Sequence, residues 1–386
     1  MKNYQHLYTR FLQAHPGVQH FACHSHHYWP DATFEAHMQF WQDSCRYVDE
    51  KWDYFFSHKI PQAQRLICEN LNLSRPEQIV FAPNTHELVS RVLSCWPGDQ
   101  KIKVLTTDSE FYSFDRQMLR WEEAGRAEVV RVPTQPFQDL EERLLREIRT
   151  QHFDFIFLSQ VFFNSGVVLK DLPALVKAVP SPETVIVVDG YHGFMAVPTD
   201  LGPLEERIFY VAGSYKYAQG GEGCCFLWVP PACTLRPQYT GWFAGFGDLA
   251  QYQGKVGYGP GGLRFAGSTM DFAALYRLIA VLETFKKESL DVPTIHRHVQ
   301  ALQGHFLQEL DRQNHPWIHR GALLQRGLEE HGHFLTFQIP DEKLCAQLVQ
   351  KLREKHLFTD HRQDRLRFGF GLYHSGEYDL SALKEI

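Results

Sequence analysis

Between residues 102 and 214, five short apolar runs each end on a turn or polar residue. This spacing constrains the fold more than any other feature of the chain. Ile102 to Leu105 leads into Thr106, Thr107 and Asp108, and Val129 to Val132 leads into Pro133. Phe155 to Leu158 leads into Ser159, Val185 to Val188 into Asp189, and Ile208 to Ala212 into Gly213 and Ser214. Such runs suit strands buried on both faces of a largely parallel sheet. Between them, Leu140, Leu144, Leu145 and Ile148 keep a helical period, as do Leu172, Leu175, Val176 and Val179. The alternation predicts βαβ units and an α/β fold with a wound sheet. Ligands of such sheets bind beyond the carboxyl ends of the strands. The polar residues closing the runs are therefore the first candidates for a site.

After residue 270 the pattern changes. Phe272, Leu275, Leu278, Ile279, Leu282 and Phe285 mark one long amphipathic helix, and Ile295, Val299, Leu302, Phe306 and Leu310 mark another. Strand-like stretches at 334–339 and 366–370 flank a helix around 344–352. This predicts a smaller α+β domain over 286–386, beside a large domain over 61–285. Residues 1–60 are expected to join the small domain. The segment 219–262, rich in Gly, Pro and aromatics, reads as loops, some of which shape a site.

Composition excludes several classes of function. Lys plus Arg is 39 against 45 Asp plus Glu, a net charge of −6, and no basic run reaches five residues. A nucleic-acid platform is not expected. No apolar stretch approaches the roughly 18 residues of a membrane span. The N-terminus lacks the apolar core of a signal peptide, so a cytoplasmic protein is expected. The eight cysteines are scattered without a CxxC pair and read as small core residues. Cys23, His24, His26 and His27 cluster, but no HExxH or H-x3-5-H companion follows. The cluster reads as a polar pocket wall or plain surface, and no metal is expected.

The richest stretch is VIVVDGYHGFMAVPTDLGPLEERIFYVAGSYKYAQGGEGCCFLWVPP. One apolar strand ends in Asp189, and His192 follows three residues later. The next strand leads into Ser214-Tyr215-Lys216-Tyr217 and a Gly-rich turn. Pyridoxal phosphate chemistry needs this pairing. A lysine forms the Schiff base, and a carboxylate keeps the pyridine nitrogen protonated so that the ring accepts electrons. Asp189 alone would start a turn, and Lys216 alone would be a solvated lysine. Their order and apolar flanks favour the paired reading. His192 is expected to hydrogen-bond the Asp189 carboxylate and hold its geometry.

With these motifs the chain resembles class V of the fold-type I pyridoxal-phosphate enzymes, and most closely kynureninase. The resemblance runs from about residue 80 to residue 380. It implies a large domain with a mostly parallel sheet, a smaller domain built from both chain ends, and pyridoxal 5'-phosphate as cofactor. Lys216 becomes the implied Schiff-base lysine and Tyr215 an implied phosphate ligand. In FAPNTHELV, Thr85 and His86 open the implied phosphate-binding turn. Ser159 matches a cofactor-contacting serine. Phe111, chosen over Tyr112, is the implied ring over the cofactor. The LRP…GWF element places Trp242, with Ser268 and Thr269 of LRFAGSTMDF, at the neighbouring subunit's cofactor, which implies a homodimer with shared sites. In RLRFGFGLYHSGEYDL, Arg367 is the implied clamp for a substrate α-carboxylate. A planar guanidinium binds a carboxylate bidentately.

The chain also departs from kynureninase. Gly267, Ser268 and Thr269 stand where an Asn contacts the aromatic substrate, and they look closer to the Gly-Thr element of class V aminotransferases and desulfurases. CHSHHYWP replaces the N-terminal G-N-S-L-G element, making His26 and His27 candidate substrate contacts. The expected activity is kynureninase-like hydrolytic Cβ–Cγ cleavage of an amino acid with an aryl or bulky side chain. A class V aminotransferase or a C–S lyase or desulfurase is the alternative, and a non-catalytic cofactor-binding regulator a third. A desulfurase needs a mobile nucleophilic cysteine in the C-terminal third, where Cys345 reads as helical and structural.

Overall fold

The computed structural model describes residues 2–246, 254–325 and 327–386; residues 247–253 of the loop-rich segment lie outside the described ones. In chain order the strands are β1 (Gln19–His20), β2 (Ile79–Ala82), β3 (Ile102–Thr107), β4 (Ala127–Val132), β5 (Phe155–Ser159), β6 (Val185–Asp189), β7 (Ile208–Gly213), β8 (Cys225–Trp228), β9 (Phe334–Gln338), β10 (Leu357–Phe358), β11 (Asp360–Arg362) and β12 (Arg365–Gly369). The five apolar runs are β3 to β7. They lie parallel within a seven-stranded sheet of order β2-β8-β7-β6-β5-β3-β4, in which β8 runs antiparallel to both its neighbours. Every residue of β5 and all but the last of β6 are buried, as helices on both faces require.

The strand order turns round at β3, with β4 on one side and β5 on the other. Loops that leave neighbouring strands at such a point diverge and open a crevice. Register then sets what lines it. Ser159 at the end of β5 stands opposite Asp189 at the end of β6, and Asp189 stands opposite Val211 of β7. Lys216 follows just past the end of β7.

The helices form where the 3.6-residue period predicted them. Leu140–Thr150 buries Leu140, Leu144 and Ile148, and Leu172–Ala178 buries Leu172, Leu175 and Val176. Ala273–Lys287 is buried along most of its length, including Leu275, Leu278, Leu282 and Phe285. The C-terminal part builds a second core, in which helices Val292–Asp311 and Glu342–Glu354 pack with the antiparallel sheet β11-β12-β9. Phe21 enters this core, because β1 pairs in parallel with β10. Helix Ala32–Tyr47 packs instead on Ala273–Lys287, where Tyr276 donates a hydrogen bond to Asp43 at 2.7 Å. Residues 1–60 thus contribute to both cores.

One glycine at the sheet edge sets the position of the site. Gly190 follows Asp189, and a Cβ added there would lie 1.9 Å from the Tyr210 hydroxyl oxygen. Tyr210 is fully buried and donates to Gln160 at 3.0 Å, so it has nowhere to go. Gly190→Ala is expected to cost about 1–3 kcal/mol of stability through overpacking and to displace Asp189. Denaturant unfolding and cofactor retention, measured on the same preparation, check both effects.

Candidate active site

Asp189 ends β6 with one carboxylate oxygen satisfied. Its Oδ1 accepts the Tyr191 amide at 2.8 Å, and Oδ2 has no hydrogen-bond partner among the described residues. Burial pushes its pKa up to about 6, against the Tyr191 amide and the nearby Lys216 charge. Thr85, His86, Ser90, Phe111 and Phe157 line one cleft with Asp189. Thr85 and His86 open helix Thr85–Leu93, whose N-cap Asn84 accepts the Glu87 amide at 2.9 Å. The first-turn amides of Thr85 and His86 keep no intrahelical acceptor, which suits an anion.

Lys216 contacts the same region from the end of β7. Its Nζ is hydrogen-bonded to His192 Nε2 and lies 5.8 Å from the ring centroid of Phe111 and 5.6 Å from that of Tyr191. Burial, and then the positive charge of Arg367, bring the Lys216 pKa down to about 7. The neutral amine is thus far more accessible at neutral pH than that of an exposed lysine. His192 is buried, and burial holds it well below its ordinary pKa, so it stays neutral. The expected bond from His192 to the Asp189 carboxylate is not made. The ring turns to Lys216, and its Nδ1 is buried without a partner. The Asp189 geometry is held by the Tyr191 amide instead.

The remaining candidates fall into separate groups. Ser159 donates to Glu110 Oε2 at 2.5 Å and is in register with Asp189. Phe111 lines the cleft, and its ring stands edge-on to Phe163 at 5.4 Å. Tyr215 is half-buried with His26 edge-on at 5.9 Å. His27 does not share that surface: it is buried, its Nδ1 is 2.6 Å from Tyr28 O, and it packs against the Tyr373 ring. Trp242 donates to Thr269 at 3.1 Å, and Ser268 and Thr269 are exposed. No described contact joins this group to Lys216 of the same chain. Arg367 is 2% exposed, and its guanidinium meets the carboxylate of Asp360 at 2.9 and 2.6 Å.

Sequence reasoning missed Glu110 and Asp360. Glu110 is buried against Asp189, accepts from Thr107 at 2.6 Å as well as from Ser159, and is pushed by burial up to about 7. A carboxylate directly before Phe111, just past a buried strand, was its only signal. Asp360 and Arg367 are partners across the β11–β12 hairpin, equidistant from its Gln363-Asp364 turn. That symmetry of opposite charges was readable in FTDHRQDRLRF.

An aminotransferase class-V family model matches residues 30–355. The chain belongs to this family. Among curated proteins it is 24% identical over 213 residues to the cysteine desulfurase CsdA of Escherichia coli strain K12, a match covering 51% of this chain and about half, 50%, of that relative's length. Among solved structures it resembles a mutant of C-DES with glycine linked covalently to its pyridoxal phosphate. That match has a TM-score of 0.80 at 17% identity and covers 100% of this chain and 98% of the other. The apo cysteine desulfurase of Thermococcus onnurineus NA1 matches with a TM-score of 0.76 at 16% identity, over 100% and 96% of the two chains. The fold is therefore fold-type I, and the protein is a class V enzyme that uses pyridoxal phosphate. The finer likeness to kynureninase is not what these relatives share. Among the described residues no helix is long and apolar enough to cross a membrane.

The residues present fit the cofactor. A carboxylate with one free oxygen, an aromatic ring and a helix start line one cleft, and the desolvated lysine lies 5.8 Å from that ring. The lysine also leaves a measurable trace in the apoprotein. Its lowered pKa means that the unfolded chain binds the extra proton between about pH 7 and the ordinary lysine range, so its burial cost is full below pH 7 and fades as pH rises. Lys216→Met should therefore be more stable than wild type at pH 6 without cofactor, and the gap should shrink steadily towards pH 10. Thermal unfolding of both apoproteins across that range measures it.

Proposed function

We propose that this enzyme is a C–S lyase that eliminates a sulfur group from the β-carbon of an amino acid of the cystine kind. The observation that carries this reading is the placement of the cysteines. Cys345 is buried within helix Glu342–Glu354, and burial pushes its thiol up to about 12. Cys225, the cysteine beside Asp189, is also buried, donates to Tyr191 Oη at 3.6 Å, and is likewise pushed up to about 12. The one fully exposed cysteine, Cys45, lies on helix Ala32–Tyr47. A desulfurase must hold its sulfur on an accessible thiolate, and no described cysteine at this site offers one. Elimination needs no such thiolate. C-DES, which shares this fold, is described as a cystine C–S lyase with cysteine persulfide as product.

The roles of the residues follow. Pyridoxal phosphate, when bound, supplies an electron sink joined to the substrate amine. Asp189, with Oδ2 free, would hold the ring nitrogen of the cofactor protonated. Thr85, His86 and the first-turn amides would hold its phosphate, and Phe111 would pack against its ring. Lys216, brought towards neutrality by burial, takes the proton from the substrate α-carbon. His192 holds the lysine nitrogen through Nε2. The Cα–H electron pair becomes a Cα=Cβ bond as the Cβ–S bond breaks, and sulfur leaves with its own pair as a persulfide. The unsaturated amine left behind adds water to give pyruvate and ammonia.

Incubation with cystine should yield pyruvate, ammonia and persulfide in equal amounts, and Cys345→Ser should leave the rate unchanged. The kynureninase-like reading shares every step up to the proton on Lys216 and differs in the bond that breaks. Release of alanine and an aromatic amine from kynurenine, with no turnover of cystine, would replace the lyase reading with that one, and a keto acid formed together with an aminated acceptor would replace it with transamination.

The active unit of this reading is a homodimer. Trp242 is half-buried and bonded to the exposed Thr269, and neither they nor the exposed Ser268 contact Lys216 of their own chain among the described residues. Mixing inactive Lys216→Ala with an inactive Thr269 or Trp242 variant should restore up to about a quarter of wild-type activity by subunit exchange. Exchange without recovery would remove shared sites from the proposal.

A further inference from the structure

One of the two Arg367 edges that could clamp a carboxylate is already filled. A guanidinium has five N–H donors and two edges that accept a carboxylate in fork geometry. The Nε–Nη2 edge is filled by Asp360, at 2.9 Å to Oδ1 and 2.6 Å to Oδ2. Nη1 donates to the Phe163 carbonyl at 2.5 Å, and Ser25 Oγ lies 3.3 Å from Nη2 on the same side as Asp360. Three of the five donors are therefore taken within the chain, two of them by Asp360.

Asp360 is built into place. Its Oδ1 accepts from His24 Nε2 at 2.6 Å and its Oδ2 from the Ser25 hydroxyl. Although burial opposes the charge, His24 and Arg367 hold its carboxyl well below the ordinary range, so it is ionised at every working pH. His24 is brought down to about 4 by burial and is neutral. It must carry its proton on Nε2 to serve Asp360, which leaves the buried Nδ1 bare, as observed. The backbone adds to this, since Asp360 and Arg367 are directly opposed in the β11–β12 ladder. The charge of the pair sums to zero, and Phe163, which takes Nη1, reaches Phe111 at the cofactor cleft.

We propose that Asp360 determines substrate specificity by acting as an internal competitor for the carboxylate-binding edge of Arg367. A substrate carboxylate must either displace Asp360 from His24, Ser25 and Arg367 or settle for the outer edge, where the Phe163 carbonyl already holds Nη1. In both cases the net attraction is reduced, because Asp360 offsets part of the positive charge that Arg367 and the nearby Arg362, 3.7 Å from Asp360 Oδ2, bring to the site. Selection by this enzyme then rests on the substrate side chain and amine, and the α-carboxylate contributes little.

This inference rests on the reading of the protein as a pyridoxal phosphate enzyme acting on amines, and the test separates the two. L-Alanine and ethylamine differ only in the carboxylate, and neither carries a β-leaving group. Binding of each to cofactor-loaded protein is read from the visible absorption of the cofactor. In wild type the two affinities should lie within about tenfold of each other. Asp360→Asn should tighten alanine by about tenfold or more and leave ethylamine within about twofold. Ser25→Ala, which keeps every charge and loosens Asp360, should move alanine in the same direction by less. A wild-type preference for alanine of a hundredfold or more, or equal changes for both ligands in either variant, would overturn the proposal and leave Asp360 as scaffold. No spectral response to either ligand would instead overturn the underlying reading of the cofactor site.

Discussion

Desolvation at the carboxyl edge of the parallel sheet is the constraint on which the rest of this molecule depends. Strands β5, β6 and β7 are buried on both faces, so whatever closes them sits at the boundary between a dry core and a crevice. Charges placed there are costly, and each group responds in its own direction. Asp189 and Glu110 rise towards neutral pH, and Lys216 falls to it. The result is a site whose groups are poised to exchange protons at neutral pH. Moving any of them onto the exposed face of a helix would keep the residue and lose the chemistry. The sheet is the reason that an aspartate and a lysine, both unremarkable in sequence, come to the same edge.

Much of this was legible in the order of the residues. Buried parallel strands need continuous apolar runs, so β3 to β7 stood out, and their polar ends marked Ser159, Asp189 and Lys216. Amphipathic helices such as Leu140–Thr150 and Val292–Asp311 showed in their spacing. The two-residue strands β1 and β10 did not, because pairing so brief leaves no period to read. Side-chain direction was equally hidden. His192 lies three residues after Asp189, and spacing alone suggested a bond to that carboxylate. The turn through Gly190 carries the imidazole to Lys216 instead. Likewise His26 and His27 are neighbours in sequence, yet one is exposed beside Tyr215 and the other is sealed among Tyr28 and Tyr373. Family likeness gave the scaffold and the cofactor more firmly than the reaction, because both follow from the sheet and its ends. The reaction follows from loops and from side chains such as Asp360.

In the proposed reaction Asp189, Lys216 and the helix start at Thr85 would serve the cofactor. The residues proposed to set selectivity lie at the margin, in the His24-Ser25 segment and the β11–β12 hairpin. These elements come from distant parts of the chain and carry little of the sheet's burden. Substitution there costs less stability than in β5 or β6, where every side chain is packed.

The pairing of β1 with β10 carries a consequence for how the protein is made. Gln19 meets Leu357 and His20 meets Phe358, so the segment that brings His24 and Ser25 to Asp360 has no partner strand until nearly the whole chain exists. During synthesis the early residues leave the ribosome first and wait, while β2 to β8 can close into a sheet on their own contacts. Contacts of such long sequence separation close slowly, so the return of both ends to each other is expected late. The large core is not finished until then either, since Tyr8 and Tyr28 meet Tyr373 within it.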